Sequence, residues 1–225
     1  MEQITIQGRQ VTVYPSDDKG APVVYSNEYE ECGEALLKAC RELGVPGFHL
    51  VTVSGLDWNR DLSPWHCGPV VMRDEEFDGG AGGYLKLLED EIMPCAEGIL
   101  DITPAGRILE GYSMAGLFAV YASLNSDRFD DISCVSGSVW FPGFRDYFEN
   151  SAFGKKPQKI YFSLGEKETK TRNPVLQTTA AVMQELSGIC TGRGVRSVFE
   201  LNPGNHFKDN VLRMARGIKW IMSEP

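Results

Sequence analysis

The sequence predicts an α/β fold with a mostly parallel central sheet, helices on both faces of that sheet and an N-terminal hairpin. Apolar runs of strand length alternate with segments of helical periodicity, and this alternation is typical of parallel strands joined by crossover helices. The run GFHLVTVSG, residues 47–55, is largely apolar, as expected of a strand buried on both faces. Near the start of the chain, ITIQGRQVTVYP alternates around Gly8 and therefore predicts a hairpin.

We expect one domain over residues 1–225, because no linker, repeat or low-complexity segment interrupts the chain. Beyond the hairpin, the predicted strands are PVVYS, HLVTVSG, RILEG, DISCVSG, IYFSLG and VRSVFEL. Three helices are predicted over NEYEECGEALLKACREL, YLKLLEDEIMPC and AGLFAVYASL. A fourth begins at Asn173-Pro174, which supplies an N-cap side chain and a first-turn proline, and runs to about Cys190; a fifth begins near Phe207.

Composition excludes several classes of partner. The net charge of −9 and the pI of about 4.9 argue against binding to nucleic acid or to an anionic membrane, since both require clustered Lys and Arg. No apolar run approaches the roughly 20 residues of a membrane-spanning helix. The N-terminal MEQITIQGRQ lacks a basic and then apolar signal pattern, so we expect a cytoplasmic protein. The sequence leaves its oligomeric state open.

The six cysteines are expected to be buried free thiols. They are dispersed along a chain of this size, and none of them forms a C-x-x-C pair. This spacing argues against both a disulfide framework and a metal site.

A long irregular segment covers Leu56–Gly80 and shows no clear period. Long loops in compact domains are more often functional than not. Trp58 and Trp65 lie in this segment, and Trp140 follows a later predicted strand. We expect these three tryptophans either to wall an apolar substrate pocket or to pack at its rim.

One serine stands at an abrupt turn between a predicted strand and a predicted helix, in RILEGYSMAGLFAVYASL, residues 107–124. A serine hydroxyl is a weak nucleophile, so it must be exposed beside a base and near N–H groups that hold an oxyanion. A G-x-S-x-G turn meets those needs, and Gly111, Ser113, Ala115 and Gly116 approach that pattern. The alternative is that Ser113 only caps the helix.

Two further groups follow in the order that such a site requires, which is nucleophile, acid and histidine. Glu166 and Glu168 follow the strand IYFSLG, and His206 lies in NPGNHFKDN after the last strand. Of the other two histidines, His49 lies inside an apolar strand and is expected in the core, while His66 is expected at the surface. The residues therefore predict a triad of Ser113, His206 and one of the two glutamates.

Four segments together resemble a known family. In chain order, VSGLDWNRDLSPW, GYSMAGLFAVYAS, SGSVWFPGF and SLGEKETKTRNP are similar to the esterase-D and enterochelin-esterase-like branch of the α/β-hydrolase superfamily, and the similarity runs from about Pro22 onward. The resemblance implies an α/β-hydrolase fold and hydrolysis of small-molecule carboxylic esters, or of thioesters, at a serine. It also implies that neither a metal nor an organic cofactor is needed.

Carried onto this sequence, the resemblance implies a role for each site residue. Ser113 is the nucleophile, His206 is the base and then the acid, and Glu168 orients the imidazole. The oxyanion donors are the backbone N–H groups of Met114 and, from the loop after HLVTVSG, of Leu56.

The sequence departs from the family pattern at three points. Ala115 replaces the usual glycine, Glu110 puts a carboxylate into a strand expected to be buried, and no His-Gly dipeptide marks the oxyanion loop. Two other functions remain open. One is acyl transfer by the same triad, and the other is a binding protein on a hydrolase scaffold.

Overall fold

An eight-stranded sheet forms the centre of the computed structural model, which describes residues 1–72 and 76–223. The strands are β1 (Glu2–Ile6), β2 (Arg9–Tyr14), β3 (Val23–Asn27), β4 (His49–Ser54), β5 (His66–Cys67), β6 (Phe77–Asp78), β7 (Arg107–Tyr112), β8 (Asp131–Val135), β9 (Lys159–Gly165) and β10 (Arg196–Asn202). Their order across the sheet is β1-β2-β4-β3-β7-β8-β9-β10, and β5 and β6 pair separately. The hairpin β1–β2 and the pair β2–β4 are antiparallel, whereas the pairs from β4 through β10 are parallel. The predicted fold class is confirmed.

Helices cover both faces of the sheet. They are α1 (Gly33–Glu42), α2 (Trp58–Asp61), α3 (Ala81–Leu87), α4 (Met93–Leu100), α5 (Met114–Asn125), α6 (Phe144–Asn150), α7 (Pro174–Gln177), α8 (Thr179–Gly192) and α9 (Asn210–Met222). Helices α1 and α9 pack in one apolar cluster, and α3, α4, α5, α6 and α8 pack in the larger cluster on the opposite face. Within the described ranges, no helix has both the length and the apolar character needed to cross a bilayer.

The first helix begins later than its sequence predicts. The periodic segment starts at Asn27, but α1 starts at Gly33 because two glutamates bind backbone groups ahead of it. The Glu28 carboxylate accepts a hydrogen bond from Cys32 N at 2.6 Å, and the Glu31 carboxylate accepts one from Gly33 N at 2.9 Å. Residues 28–32 therefore form a loop at the end of β3.

Other differences concern short elements. The irregular segment contains α2 and the small β5–β6 pair, α6 has no counterpart in the prediction, and the helix after Asn173 is divided at Thr178. Cys40, Cys134 and Cys190 are buried thiols as expected, but Cys32 and Cys67 are half-buried and Cys95 is exposed. A π-helical turn over Leu88–Ile92 adds a residue between α3 and α4 and so changes which side chains face the core.

A glutamate lies in the middle of the sheet. Glu110 on β7 is fully buried, and its Oε2 accepts a hydrogen bond from Ser26 Oγ on β3 at 2.9 Å. Its Oε1 has no hydrogen-bond partner among the described residues. Burial raises the pKa of Glu110 to about 8, so the carboxyl group is mainly neutral at pH 7. A neutral acid avoids most of the cost of a buried charge.

In the Glu110→Gln variant, the free energy of unfolding should depend less strongly on pH than in wild type. The folded-state pKa of Glu110 lies above its ordinary value of 4.5, so its stabilising contribution is complete below about pH 4.5 and is lost as the pH rises to about 8. The loss is up to about 1.4 kcal/mol for each pH unit. Urea unfolding of wild type between pH 5 and 8 should show this decline, and Glu110→Gln should show a shallower one. Exposed Glu166→Gln is the control, and a Glu110→Gln slope equal to that of wild type would contradict the assignment.

Candidate active site

The turn between β7 and α5 places Ser113 in an unusual backbone conformation. Its φ is 61° and its ψ is −123°, a left-handed region that costs a non-glycine residue about 1–3 kcal/mol. Hydrogen bonds on both sides hold it there. Ser113 N donates to Val135 O at 3.1 Å, and Ser113 O accepts from Leu117 N at 3.1 Å and from Ser138 N at 3.0 Å. The serine hydroxyl therefore stands at the carboxyl edge of the sheet, directly before a helix N-terminus.

Close packing of strand against helix explains the small residues around this serine. A Cβ atom on Gly111 would lie 2.3 Å from the carbonyl carbon and oxygen of Ala115. A Cβ atom on Gly116 would lie 2.9 Å from the Cα of Gly137. The methyl group of Ala115 is fully buried, so this turn accommodates alanine where the family pattern has glycine.

Ser113, His206 and Glu168 form one hydrogen-bonded chain. Ser113 Oγ lies 3.1 Å from His206 Nε2, and His206 Nδ1 lies 2.7 Å from Glu168 Oε2. A neutral imidazole with its proton on Nδ1 donates to Glu168 and leaves Nε2 to accept from the serine. This is the tautomer that a general base beside a hydroxyl requires.

The Glu168 carboxylate is held on its other side as well. Its Oε1 accepts hydrogen bonds from Gly165 N at 2.6 Å, from Ser136 Oγ at 2.6 Å and from Arg213 Nη2 at 3.0 Å. Burial opposes ionisation of this carboxyl group, but the hydrogen bonds from His206 and Ser136 outweigh it and keep the pKa of Glu168 below its usual range. Glu168 is therefore an anion that faces the imidazole.

The remaining titratable candidates lie elsewhere. Glu166 is exposed, and its backbone N–H donates to Asn202 O, so of the two glutamates only Glu168 contacts His206. His49 is buried, as predicted, and its Nδ1 accepts from Ser16 N at 3.0 Å. His66 is exposed on β5.

Three polar residues behind the chain of hydrogen bonds were not predicted. They are Ser136, Tyr112 and Arg213, of which Arg213 is only 1% exposed. Arg213 Nη1 donates to Tyr112 Oη at 2.9 Å, and Tyr112 Oη donates to His206 O at 2.6 Å. A sequence signal for Arg213 exists, since it lies between apolar positions on the buried face of the amphipathic helix α9.

Two cavities meet at Ser113 and His206. Both expose more apolar than polar surface. The smaller, of about 380 Å³, includes the acidic residues of the loop after β3, and the larger, of about 870 Å³, includes Lys167 and Lys170. Tyr29, Trp58 and Phe207 line both cavities. The aromatic and aliphatic residues found only in the larger cavity are Leu56, Val71, Met72, Phe77, Met114, Trp140 and Leu176.

The predicted tryptophans divide into two groups. Trp58 and Trp140 line the larger cavity, whereas Trp65 is not among the described residues that line either cavity. The Trp65 ring instead packs against Phe141 and Tyr147, with centroid separations of 5.8 and 5.3 Å, and its Nε1 donates to Pro142 O at 3.1 Å. Of the two predicted roles, these contacts favour packing for Trp65.

The two predicted oxyanion donors occupy different positions relative to the serine. Met114 is the first residue of α5 and follows Ser113 directly. Leu56 lines the larger cavity with Ser113, but it follows β4, and β3 lies between β4 and β7. The loop that adjoins the serine turn most directly is therefore residues 28–32, after β3, whose Asn27 pairs with Gly111.

Comparison with known proteins identifies a family and a shared fold. The family model described as "Putative esterase" matches residues 7–207. No curated protein matches the chain at a significant level.

Similar solved structures include the siderophore hydrolase EstB from Aspergillus nidulans, with a TM-score of 0.79 and 19% identity over 98% of this chain and 94% of that protein. An IroE-like serine hydrolase from Shewanella oneidensis has a TM-score of 0.75 and 17% identity over 98% and 79% of the two chains. The enterobactin esterase FES from Shigella flexneri has a TM-score of 0.74 and 15% identity over 98% and 58%. At these identities the similarity shows a common fold.

The Gly111→Ala variant should destabilise the protein. The added methyl group would meet backbone atoms of Ala115, which cannot move without displacing α5, so we expect a loss of about 1–3 kcal/mol or more in the free energy of unfolding. Gly188→Ala is the matched control, because it lies within α8 and has open space at its Cβ position. That change should stabilise the protein by about 0.5–1 kcal/mol. Urea denaturation compares the two, and equal effects would contradict the close approach of strand and helix.

Proposed function

Because the chain belongs to the esterase family whose model matches residues 7–207, it is a carboxylic ester hydrolase, and we propose that it acts on small-molecule esters through an acyl-enzyme on Ser113. The single observation that carries the proposal is the chain of hydrogen bonds from Ser113 through His206 to Glu168. The left-handed backbone of Ser113 supports it, because that conformation exposes the hydroxyl group at the end of a strand.

Acylation begins with proton transfer. His206 Nε2 accepts the hydroxyl proton as Ser113 Oγ attacks the ester carbonyl carbon, and ionised Glu168 stabilises the imidazolium that forms. His206 then gives this proton to the departing alcohol oxygen, and the acyl group remains on Ser113. In the second half, His206 takes a proton from water as the water oxygen attacks the acyl carbon. His206 then returns that proton to Ser113 Oγ as the bond between Oγ and the acyl carbon breaks, and the free acid leaves.

Negative charge on the carbonyl oxygen needs N–H donors. We assign the first to Met114, whose N–H belongs to the N-terminal turn of α5, where the helix dipole favours an anion. The second donor remains the Leu56 N–H in this proposal, and the loop of residues 28–32 is the competing source that the strand order offers.

The two cavities indicate where the parts of a substrate bind. Ser113 lines both of them, so the ester bond lies at their junction, with the bulkier apolar part of the substrate in the larger cavity. Two of the similar structures are named as a siderophore hydrolase and an enterobactin esterase, so siderophore esters belong in a substrate panel beside simple alkyl and aryl esters.

The Ser113→Ala variant should abolish ester turnover. Loss of the nucleophile in the comparable subtilisin triad lowers kcat roughly 10⁶-fold. Ser197→Ala is the control, because its hydroxyl donates to Ile160 O beneath α8, away from both cavities. Wild type should release free acid in water without an added alcohol or thiol. Turnover that depends on such an acceptor would instead identify an acyltransferase, and an active Ser113→Ala variant would exclude both.

The Glu168→Gln and Glu166→Gln variants should differ strongly in turnover. An amide at position 168 no longer favours the Nδ1 proton or the imidazolium, and by analogy with other triad acids kcat should fall roughly 10⁴-fold. Glu166 is exposed and should be replaceable with little effect. Steady-state kinetics on one activated ester decides the ranking, and the reverse order would move the acid to Glu166.

A further inference from the structure

We propose that Arg213 is a positioning residue for the hydrolytic site: its buried guanidinium holds the loops after β7, β8, β9 and β10 in one arrangement. The proposal rests on the proposed function, since the three triad members lie on three of these loops. Arg213 does not reach Ser113 and takes no part in proton transfer. It acts through Glu168, Ser136, Tyr112 and Asn205.

One side of the guanidinium orients the triad acid. Arg213 Nη2 donates to Glu168 Oε1 at 3.0 Å and also to Ser136 Oγ, which in turn donates to Glu168 Oε1 at 2.6 Å. These bonds occupy Oε1, so Oε2 is the oxygen that faces His206. Without them the carboxylate could rotate about its last bond and lose its alignment with the imidazole.

The other side of the guanidinium orients the histidine loop. Arg213 Nη1 donates to Asn205 O at 3.3 Å and to Tyr112 Oη at 2.9 Å. The Tyr112 hydroxyl in turn donates to His206 O at 2.6 Å, and Tyr112 directly precedes Ser113 in the sequence. The guanidinium carbon also lies 5.4 Å from the centroid of the Tyr112 ring. Glu168, the histidine loop and the residue before Ser113 are thus all in contact with one side chain.

Arg213 is buried, and the desolvation of its charge argues against a role in stability alone. A buried ion pair is on average weak evidence for stability, because desolvation cancels much of its attraction. Here Arg213 is 1% exposed and Nε has no partner among the described residues, so the arginine is not optimised for its own hydrogen bonding. What its position does provide is a rigid link between helix α9 and the carboxyl edge of the sheet.

The positive charge also opposes the imidazolium. In the described part of the chain, the charged and titratable groups that contact His206 or Glu168, or line the cavities with them, come from five segments. They are Arg213 on α9, Tyr112 on β7, Lys167 and Lys170 after β9, Asp57 after β4, and Glu28, Tyr29, Glu30, Glu31 and Cys32 after β3. Removal of Arg213 takes away one positive charge near the imidazole, whereas Glu168 keeps its negative charge close by even if its carboxylate rotates, so the protonated imidazole is favoured relative to the neutral one. The acidic limb of the pH–rate profile should therefore move to higher pH.

The test compares the variants Arg213→Met and Arg213→Lys with the control variant Arg216→Met. Arg216 lies three residues later on α9 and donates to Asn202 Oδ1 at 2.7 Å. We expect Arg213→Met to lower kcat roughly 10²-fold, as a displaced catalytic group does, with KM nearly unchanged and the acidic limb at higher pH. Arg213→Lys should keep the wild-type limb and recover most of kcat. Arg216→Met should match wild type in both.

A second variant covers the case in which Arg213→Met does not fold. Tyr112→Phe removes only the hydroxyl that joins Arg213 to His206, and it should lower kcat without changing KM. Folded Arg213→Met with wild-type kcat and an unmoved acidic limb would overturn the proposal, and so would wild-type kcat in Tyr112→Phe. Ser113→Ala is assayed beside them: if it stays active, the proposed function fails, whereas an inactive Ser113→Ala with an unaffected Arg213→Met removes only the role of Arg213.

Discussion

The close approach of β7 to α5 is the constraint on which the site depends. Only a glycine fits at position 111 against the backbone of Ala115, and this contact turns the chain so sharply that Ser113 adopts a positive φ. The strained serine is then the first residue at the carboxyl edge of a parallel sheet. Because β7, β8, β9 and β10 are consecutive neighbours, the loops that follow them meet at this edge and bring Glu168 and His206 to the serine.

Two buried carboxyl groups of this fold, Glu110 and Glu168, differ in protonation state. Glu110 lies in the middle of the sheet with one serine as its hydrogen-bond donor, and burial raises its pKa to about 8, so it remains neutral. Glu168 is also largely buried, yet three groups donate to its Oε1, and His206 faces its Oε2. Its pKa is lowered, so it carries the charge that an imidazolium requires. The difference between the two carboxyl groups is the number of donors around each.

The chain order of motifs allowed most of the site to be predicted. A serine at a strand-to-helix turn, glutamates after a later strand and a histidine after the last strand converge because parallel strands share one carboxyl edge. The sequence did not reveal that β3 inserts between β4 and β7, and this strand order adds the loop of residues 28–32 as a second candidate source of an oxyanion donor beside Leu56. Trp65 and Arg213 show the same limit, since periodicity does not tell which cavity or which polar group a side chain meets in three dimensions.

The most direct test of Ser113 as the nucleophile is labelling of the folded protein with a fluorophosphonate, followed by mass-spectrometric mapping of the modified residue. Such probes react with a serine only where a base activates its hydroxyl group. The account predicts one adduct, on Ser113, that forms with the pH dependence of ester turnover and is prevented by prior unfolding in urea. An adduct on a different serine, or no adduct on a folded and ester-hydrolysing protein, would contradict the assignment of Ser113 as the nucleophile.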